Sequence, residues 1–358
     1  MKKLLLPLLS LTLSLPLTAW SVGPDDFQTT KRDTDFSSLM STLDLNGPGV
    51  TYEYKDTGTS IGIKPKRDGK GYGKWVPQNE ATDVEAQVVS YHLGRFLGMS
   101  DIVLPSAYYT LTNPGLQQFS ALITKGGPLD GNVHRTKNKA RIQAAIRANP
   151  SSMLGVYTPK LKFESLEVDG IRQGNNIISS HQIAKSIRAD QPMPSNNLMA
   201  LNLIVKKKDR EKIDPATVKE LKDTELELAR QFSKIMVLDM LCGQYDRWSG
   251  GNVEAGYDLQ QKRVFFFARD NGGAGMSGKA EGVLTKYSTI VTRFDSEQIA
   301  RVELLVKYLS NPSEAAQLKE ALGLKANPTF LLGRARAVLA HVRAQATKHG
   351  DKAFFPAR

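Results

Sequence analysis

The sequence predicts an α+β fold, with strands and one helix in its first part and mainly helices toward its end. Three observations point there. Strand-like runs, Thr51-Tyr52-Glu53-Tyr54 and Ser60-Ile61-Gly62-Ile63, flank the turn residues Asp56-Thr57-Gly58. From Thr224 the pattern becomes helical, with Leu228, Phe232, Ile235, Asp239 and Cys242 on one face. Two more helices follow, near 296–309 and 328–347. The last sets a stripe of Leu331, Ala335, Val338, Leu339 and Val342 opposite Arg334, Arg336 and Arg343.

At the start of the chain, Lys2 and Lys3 precede an apolar stretch from Leu4 to Thr18, broken by Pro7 and Pro16 and followed by the small residues Ala19 and Ser21. Residues 1–21 therefore read as a signal peptide that exports the chain to a periplasmic or secreted location. The run is shorter than the ~20 apolar residues of a spanning helix, so no membrane anchor is expected after cleavage. Residues 22–44 form a lead segment. The hairpin over 50–65 ends at Lys64, and Asp68 to Lys74 read as a Gly/Lys-rich loop. Thr82 and Glu85 have capping-box spacing and open a helix that runs to about Leu97, with Gly98 as its stop. Ile102 to Leu111 read as strand. Residues 112–215 scatter Gly, Pro and Asn among short apolar runs, and their basic stretch, Arg135 to Arg147, suits a solvated helix. Thr224 and Glu227 repeat the capping-box spacing, so a long helix delivers a loop at Asp246.

Loss of Lys2 and Lys3 lowers the net charge from +12 to +10. That balance favours acidic partners, such as nucleotides, acidic peptides, anionic glycans or lipid headgroups, without indicating a specific nucleic acid. The single cysteine, Cys242, excludes an internal disulfide and stands where a buried, inert thiol is expected.

Two acids stand where apolar elements end. Asp246 lies in Gly243-Gln244-Tyr245-Asp246-Arg247, six residues before Asn252, and Asp270 closes the strand-like Val264-Phe265-Phe266-Phe267-Ala268-Arg269 ahead of Asn271-Gly272-Gly273. An acid in a loop, an amide shortly after it and a second acid after a strand are the groups with which a phosphotransferase holds an acceptor hydroxyl and divalent ions. Lys64 could meet nucleotide phosphates from a strand end if a carboxylate held it. Glu85 is the candidate, because it shares a helix face with Val88, Val89, His92 and Phe96. The competing role for Glu85 is helix capping alone. Gly47-Pro48-Gly49 could cover phosphates or form a tight turn.

Ile63-Lys64-Pro65, Val84-Glu85-Ala86 and Tyr91-His92-Leu93-Gly94-Arg95-Phe96-Leu97-Gly98 resemble the N-lobe of the secretory-pathway kinases related to the Golgi casein kinase and Four-jointed. Leu238 to Arg247 and Ala268 to Gly272 are similar to that group's catalytic and metal-binding segments, and the group belongs with the atypical kinases that include HipA and the phosphatidylinositol kinases. The resemblance implies a two-lobed kinase-like domain over 45–358, with an N-lobe sheet and helix to about 155 and a mainly helical C-lobe. It implies ATP and Mg²⁺ or Mn²⁺ as cofactors. Lys64 becomes the nucleotide lysine, Glu85 its partner, Asp246 the catalytic acid and Asp270 the metal ligand, with Asn252 as a second metal group and Gly47 and Gly49 near the phosphates. Gln244 departs from the group's usual Asn, and Asn252 is one residue farther from Asp246 than usual. The acceptor is a protein Ser/Thr, a sugar or a lipid headgroup. A nucleotide-binding pseudokinase or a secreted polyanion-binding protein is the alternative.

Other chemistries fit poorly. Gly58-Thr59-Ser60-Ile61-Gly62 has the pattern of a hydrolase nucleophile elbow, but a strand rather than a helix follows the serine. Gly73-Lys74-Trp75 and Gly278-Lys279-Ala280 lack the Ser/Thr of a phosphate loop. The five histidines, His92, His134, His181, His341 and His349, have no zinc spacing.

Overall fold

The computed structural model describes residues 22–55, 60–80, 82–127, 130–161, 163–168, 172–173, 176–177, 180–197, 205–211, 224–245, 247, 252–258, 263–274 and 281–357. The expected signal peptide, the tip of the first hairpin and Asp246 lie outside them. No helix among the described residues is long and apolar enough to cross a membrane.

After α1 (Lys31–Thr42), the strands β1 (Val50–Tyr54), β2 (Ile63–Arg67), β3 (Lys70–Gly71), β4 (Gly73–Pro77), β5 (Ala107–Thr112) and β6 (Ser152–Pro159) form one antiparallel sheet. Its order is β1-β2-β4-β6-β5, with β3 paired to β2. β1 and β2 pair as a hairpin, but the second strand starts at Ile63, where the expected one was ending, and carries Lys64 inside it to Arg67. The expected loop before Trp75 is largely strand. Ile63 pairs with Trp75 and Trp75 with Tyr157, a register that turns these side chains to one buried face. There Trp75 meets Phe119 edge to face.

Helix α2 (Val84–Phe96) packs on the other face, where Val84 and Val88 join Val76, Val156 and Tyr108. Its N-cap is Asp83, which accepts from the N–H groups of Glu85 and Ala86. Thr82, the cap expected from the sequence, instead pairs with Asn79 in a tight bridge.

Between β5 and β6 the chain makes an excursion through α3 (Gly115–Lys125) and α4 (Val133–Ala148), the latter covering the expected basic helix. Strands β7 (Glu164–Glu167), β8 (Arg172–Gln173) and β9 (Asn176–Ile177) and the short helices α5 (Gln182–Ser186) and α6 (Lys207–Arg210) lead to the C-lobe.

Helix α7 (Glu225–Cys242) is buried from Leu228 to its end and is capped by Thr224, as the capping-box spacing predicts. Gly243 ends it in the left-handed conformation that closes many helices. Strands β10 (Val253–Asp258) and β11 (Arg263–Ala268) pair antiparallel beside β7. Helices α8 (Glu281–Ser288), α9 (Ser296–Ser310), α10 (Pro312–Ala321) and α11 (Thr329–His349) complete the fold. The apolar core runs without a break from Trp75 to Val342. The whole is a two-lobed α+β arrangement with an antiparallel N-lobe sheet and a mainly helical C-lobe.

Candidate active site

The floor of the site is built where α7 and β11 end. Arg247 is buried and turns back on Asp239, one turn before the helix end, with Nη2–Oδ1 at 2.7 Å and Nε–Oδ2 at 2.9 Å. The same guanidinium donates to the carbonyls of Asn252 and Arg269 at 3.0 and 2.7 Å and to Asn271 Oδ1 at 2.7 Å. One side chain thus fixes the helix end, the start of β10 and the chain after β11. Burial pushes the Asp239 carboxyl above its ordinary range even with that partner.

Asp270 follows in a left-handed conformation, φ 54°, which Asp tolerates better than most residues. The kink leads into a single 3-10 turn, Asn271–Gly273. Gln244 Nε2 donates to the Asp270 carbonyl at 3.2 Å, and Asp83 N–H donates to the Gly272 carbonyl at 2.9 Å. A Cβ on Gly272 would stand 3.0 Å from Thr82 Cγ2, so the turn lies tight against the start of α2.

The roof comes from the sheet. Lys74 Nζ of β4 stands 3.4 Å from Asp270 Oδ1 across the cleft, and this ammonium is the main reason the carboxyl is held down at about 2. Lys55, at the end of β1, is buried and donates to Ser60 Oγ at 2.7 Å. Burial pushes its ammonium down to about 8, with the nearby Asp270 carboxylate pulling the other way. Arg135 of α4 donates to the carbonyls of both Lys55 and Ser60, at 3.0 and 3.4 Å, and so holds the base of the β1–β2 hairpin closed. Ser60 serves that base and is followed by β2, not by the helix that a nucleophile elbow requires.

Of the residues singled out from the sequence, Asp270 occupies the cleft. The backbone of Asn252 lies at the foot of the same loop, where its carbonyl accepts from Arg247 and from the Arg269 N–H. Asp246, between Tyr245 and Arg247, lies outside the described residues. Lys64 and Glu85 are not brought together. Lys64 sits opposite Glu53 in the β1–β2 register, 3.9 Å from it, because the neighbouring strand supplies the nearer carboxylate. Glu85 Oε1 instead accepts from the backbone N–H groups of Lys325 and Ala326 at 2.6 and 3.0 Å. Gly47-Pro48-Gly49 is a tight turn in which Val50 N–H meets the Gly47 carbonyl and Gly49 takes φ 77°. It adjoins Asp44 and Arg67, at the end of β1 away from Lys55, so the strand's length separates it from Asp270.

Four groups at the site were not picked out from the sequence. Lys55 and Lys74 face Asp270. Gln87 is a buried polar side chain of α2 that donates to Ser106 Oγ at 3.1 Å, just before β5. Asn271 presents a buried Nδ2 that has no hydrogen-bond partner. The alternation of Lys74, Trp75 and Val76 was the available signal for Lys74, hidden by the glycines around it. The other three depend on contacts between distant segments.

No protein-family model and no curated protein matches the chain. Among solved structures, the chain is similar to a crystal structure of the Golgi casein kinase with Mn and ADP bound. That match has a TM-score of 0.55 at 14% identity and covers 89% of this chain and 78% of the other. A second crystal structure of the Golgi casein kinase matches with a TM-score of 0.53, the same identity and the same coverage. At this identity the likeness establishes the fold.

Proposed function

We propose that this chain is an exported atypical kinase, of the wider group that includes HipA and the phosphatidylinositol kinases. In this reading it transfers the γ-phosphate of ATP to a hydroxyl of a protein, glycan or lipid headgroup with Mg²⁺ or Mn²⁺. One observation carries the reading. An acid kept ionised at a strand end meets a strand-borne ammonium 3.4 Å away, on a fold like that of a kinase solved with Mn and ADP.

The residues present fit a nucleotide and its metal. Asp270 offers the hard oxygen that Mg²⁺ or Mn²⁺ takes, with Asn252 as the second group on that side. Lys55 and Lys74 offer positive charge to phosphates, and Asn271 Nδ2 is a buried donor without a partner. The divalent ion, when bound, supplies charge neutralisation on the phosphate oxygens. Asp246 takes the proton of the acceptor hydroxyl as its oxygen bonds to the γ-phosphorus. The bond from that phosphorus to the β–γ bridging oxygen breaks, and ADP leaves.

Titration with ATP in the presence and absence of Mn²⁺ tests the reading. Asp270→Ala is expected to remove the metal-dependent part of binding from a folded protein. Equal affinity with and without metal, in wild type and variant alike, would overturn it.

A catalytically inactive nucleotide-binding protein is the second reading, favoured by the separation of Lys64, beside Glu53, from Glu85, which accepts from Lys325 and Ala326. Asp246→Asn separates the two. In an active kinase it leaves ATP binding near normal and lowers turnover by roughly 10²–10⁴-fold. In an inactive one, wild type already binds without turnover.

A further inference from the structure

The loop between α10 and α11, residues 322–328, leaves the C-lobe helices and lies on the N-lobe. Two of its N–H groups, from Lys325 and Ala326, converge on Glu85 Oε1. The Tyr108 hydroxyl of β5 donates to the Gly323 carbonyl at 2.9 Å, and Lys325 Nζ stands 4.6 Å from the Tyr108 ring centroid. Gly323 has φ +69°, and a Cβ there would lie 3.3 Å from Val88 and 3.4 Å from Tyr108, so the backbone presses directly on the small apolar cluster under the sheet. The loop therefore ties α2 and β5 to the C-lobe at once. Two residues before Glu85, the Asp83 N–H holds the Gly272 carbonyl in the turn that begins with Asp270.

We propose that Glu85 is a positioning residue, through which this loop straps the start of α2 in place and so sets Asp270 against Lys74. The proposal rests on the reading of Asp270 as the group that engages nucleotide and metal, and it replaces an ion pair between Glu85 and a lysine. The two roles make different demands on the side chain. A strap needs one acceptor oxygen with two backbone donors on it, which a glutamine Oε1 provides. An ion pair needs the negative charge, which glutamine lacks.

The test compares Glu85→Gln and Glu85→Ala in the full chain by amide hydrogen exchange and by ATP titration with Mn²⁺. Glu85→Ala is expected to raise exchange roughly tenfold or more at Lys325, Ala326 and Asp83, the loss of about one strong hydrogen bond. It is also expected to weaken ATP by a similar factor. Glu85→Gln is expected to restore both. Glutamine failing like alanine in ATP binding, with exchange at all three amides as in wild type, would show that the charge matters and overturn the strap. So would faster exchange at 325 and 326 in the alanine variant with Asp83 unchanged, because the loop would then hold nothing beyond itself. If wild type binds no ATP, the kinase reading falls, and exchange at Asp83 alone still decides whether the strap reaches the Asp270 turn.

Discussion

Lys55 is an ammonium with less than a tenth of its surface in water, and its own hydrogen bonds go to neutral oxygens. Such a group is tolerated because Asp270 lies near it, yet burial still wins and brings it down to about 8. The sign of its effect on stability follows. Between pH 8 and the ordinary lysine value of 10.5 the unfolded chain holds the proton and the folded chain gives it up, so stability rises with pH across that window. Below pH 8 the full cost is present, about 3 kcal/mol by the usual conversion. Lys55→Met is therefore expected to be more stable than wild type at pH 7, by up to that amount, with the advantage shrinking between pH 8 and 10. Urea unfolding of both proteins at three pH values measures it. A difference that stays constant with pH would mean that Lys55 does not titrate in this range. On the proposed function, bound phosphates would supply the charge that offsets this cost.

Among the elements, β4 shows how closely the site depends on packing. Its Trp75 lies over β6 at Gly155, where an added Cβ would come within 2.4–2.6 Å of three atoms of the indole. Gly155→Ala is expected to push Trp75 off Phe119 and cost roughly 1–3 kcal/mol, the range for overpacked cores. Thermal unfolding with tryptophan fluorescence reads both effects, and an unchanged midpoint would show that the ring can move freely.

The same element explains what the sequence conceals. Helix α7 was legible because its cap, its apolar face and its glycine stop are all local. Asp270 was legible for the same reason, as an acid placed directly after an apolar strand. The start of β4 reads as loop in the sequence because Gly71, Tyr72 and Gly73 precede Lys74, and it becomes strand through pairing with β6, far along the chain. Helix α4 gave a weak apolar pattern because two of its three buried residues, Arg135 and Asn138, are polar. Lys64 and Glu85 looked like partners because Glu85 shares a helix face with Val88, Val89, His92 and Phe96, where an unpaired charge is costly. In space, a nearer carboxylate and a pair of nearer N–H groups decided their contacts.

At the scale of the whole molecule, the cleft is bounded by an N-lobe sheet above and the ends of α7 and β11 below, with α2 touching both. The core passes continuously between the lobes, so they are joined by packing as well as by the 322–328 loop. Basic residues of α4 and α11, among them Lys137, Arg141, Arg336 and Arg343, are exposed.

The excursion through α3 and α4 bears on how chains of this kind can gain and lose segments. β5 and β6 are direct antiparallel neighbours, so a deletion joining Thr112 to Ser152 would leave every strand of the sheet its partner. It would also remove Arg135 from the carbonyls of Lys55 and Ser60, and Asn138 from the Glu80 N–H. The hairpin beside Asp270 would then have lost its outside support, and the sheet would have kept its strand pairing while losing Phe119 from Trp75. A relative that lacks these two helices must close that hairpin by other means, and a shortened version of this chain should be judged by its hairpin before its melting point.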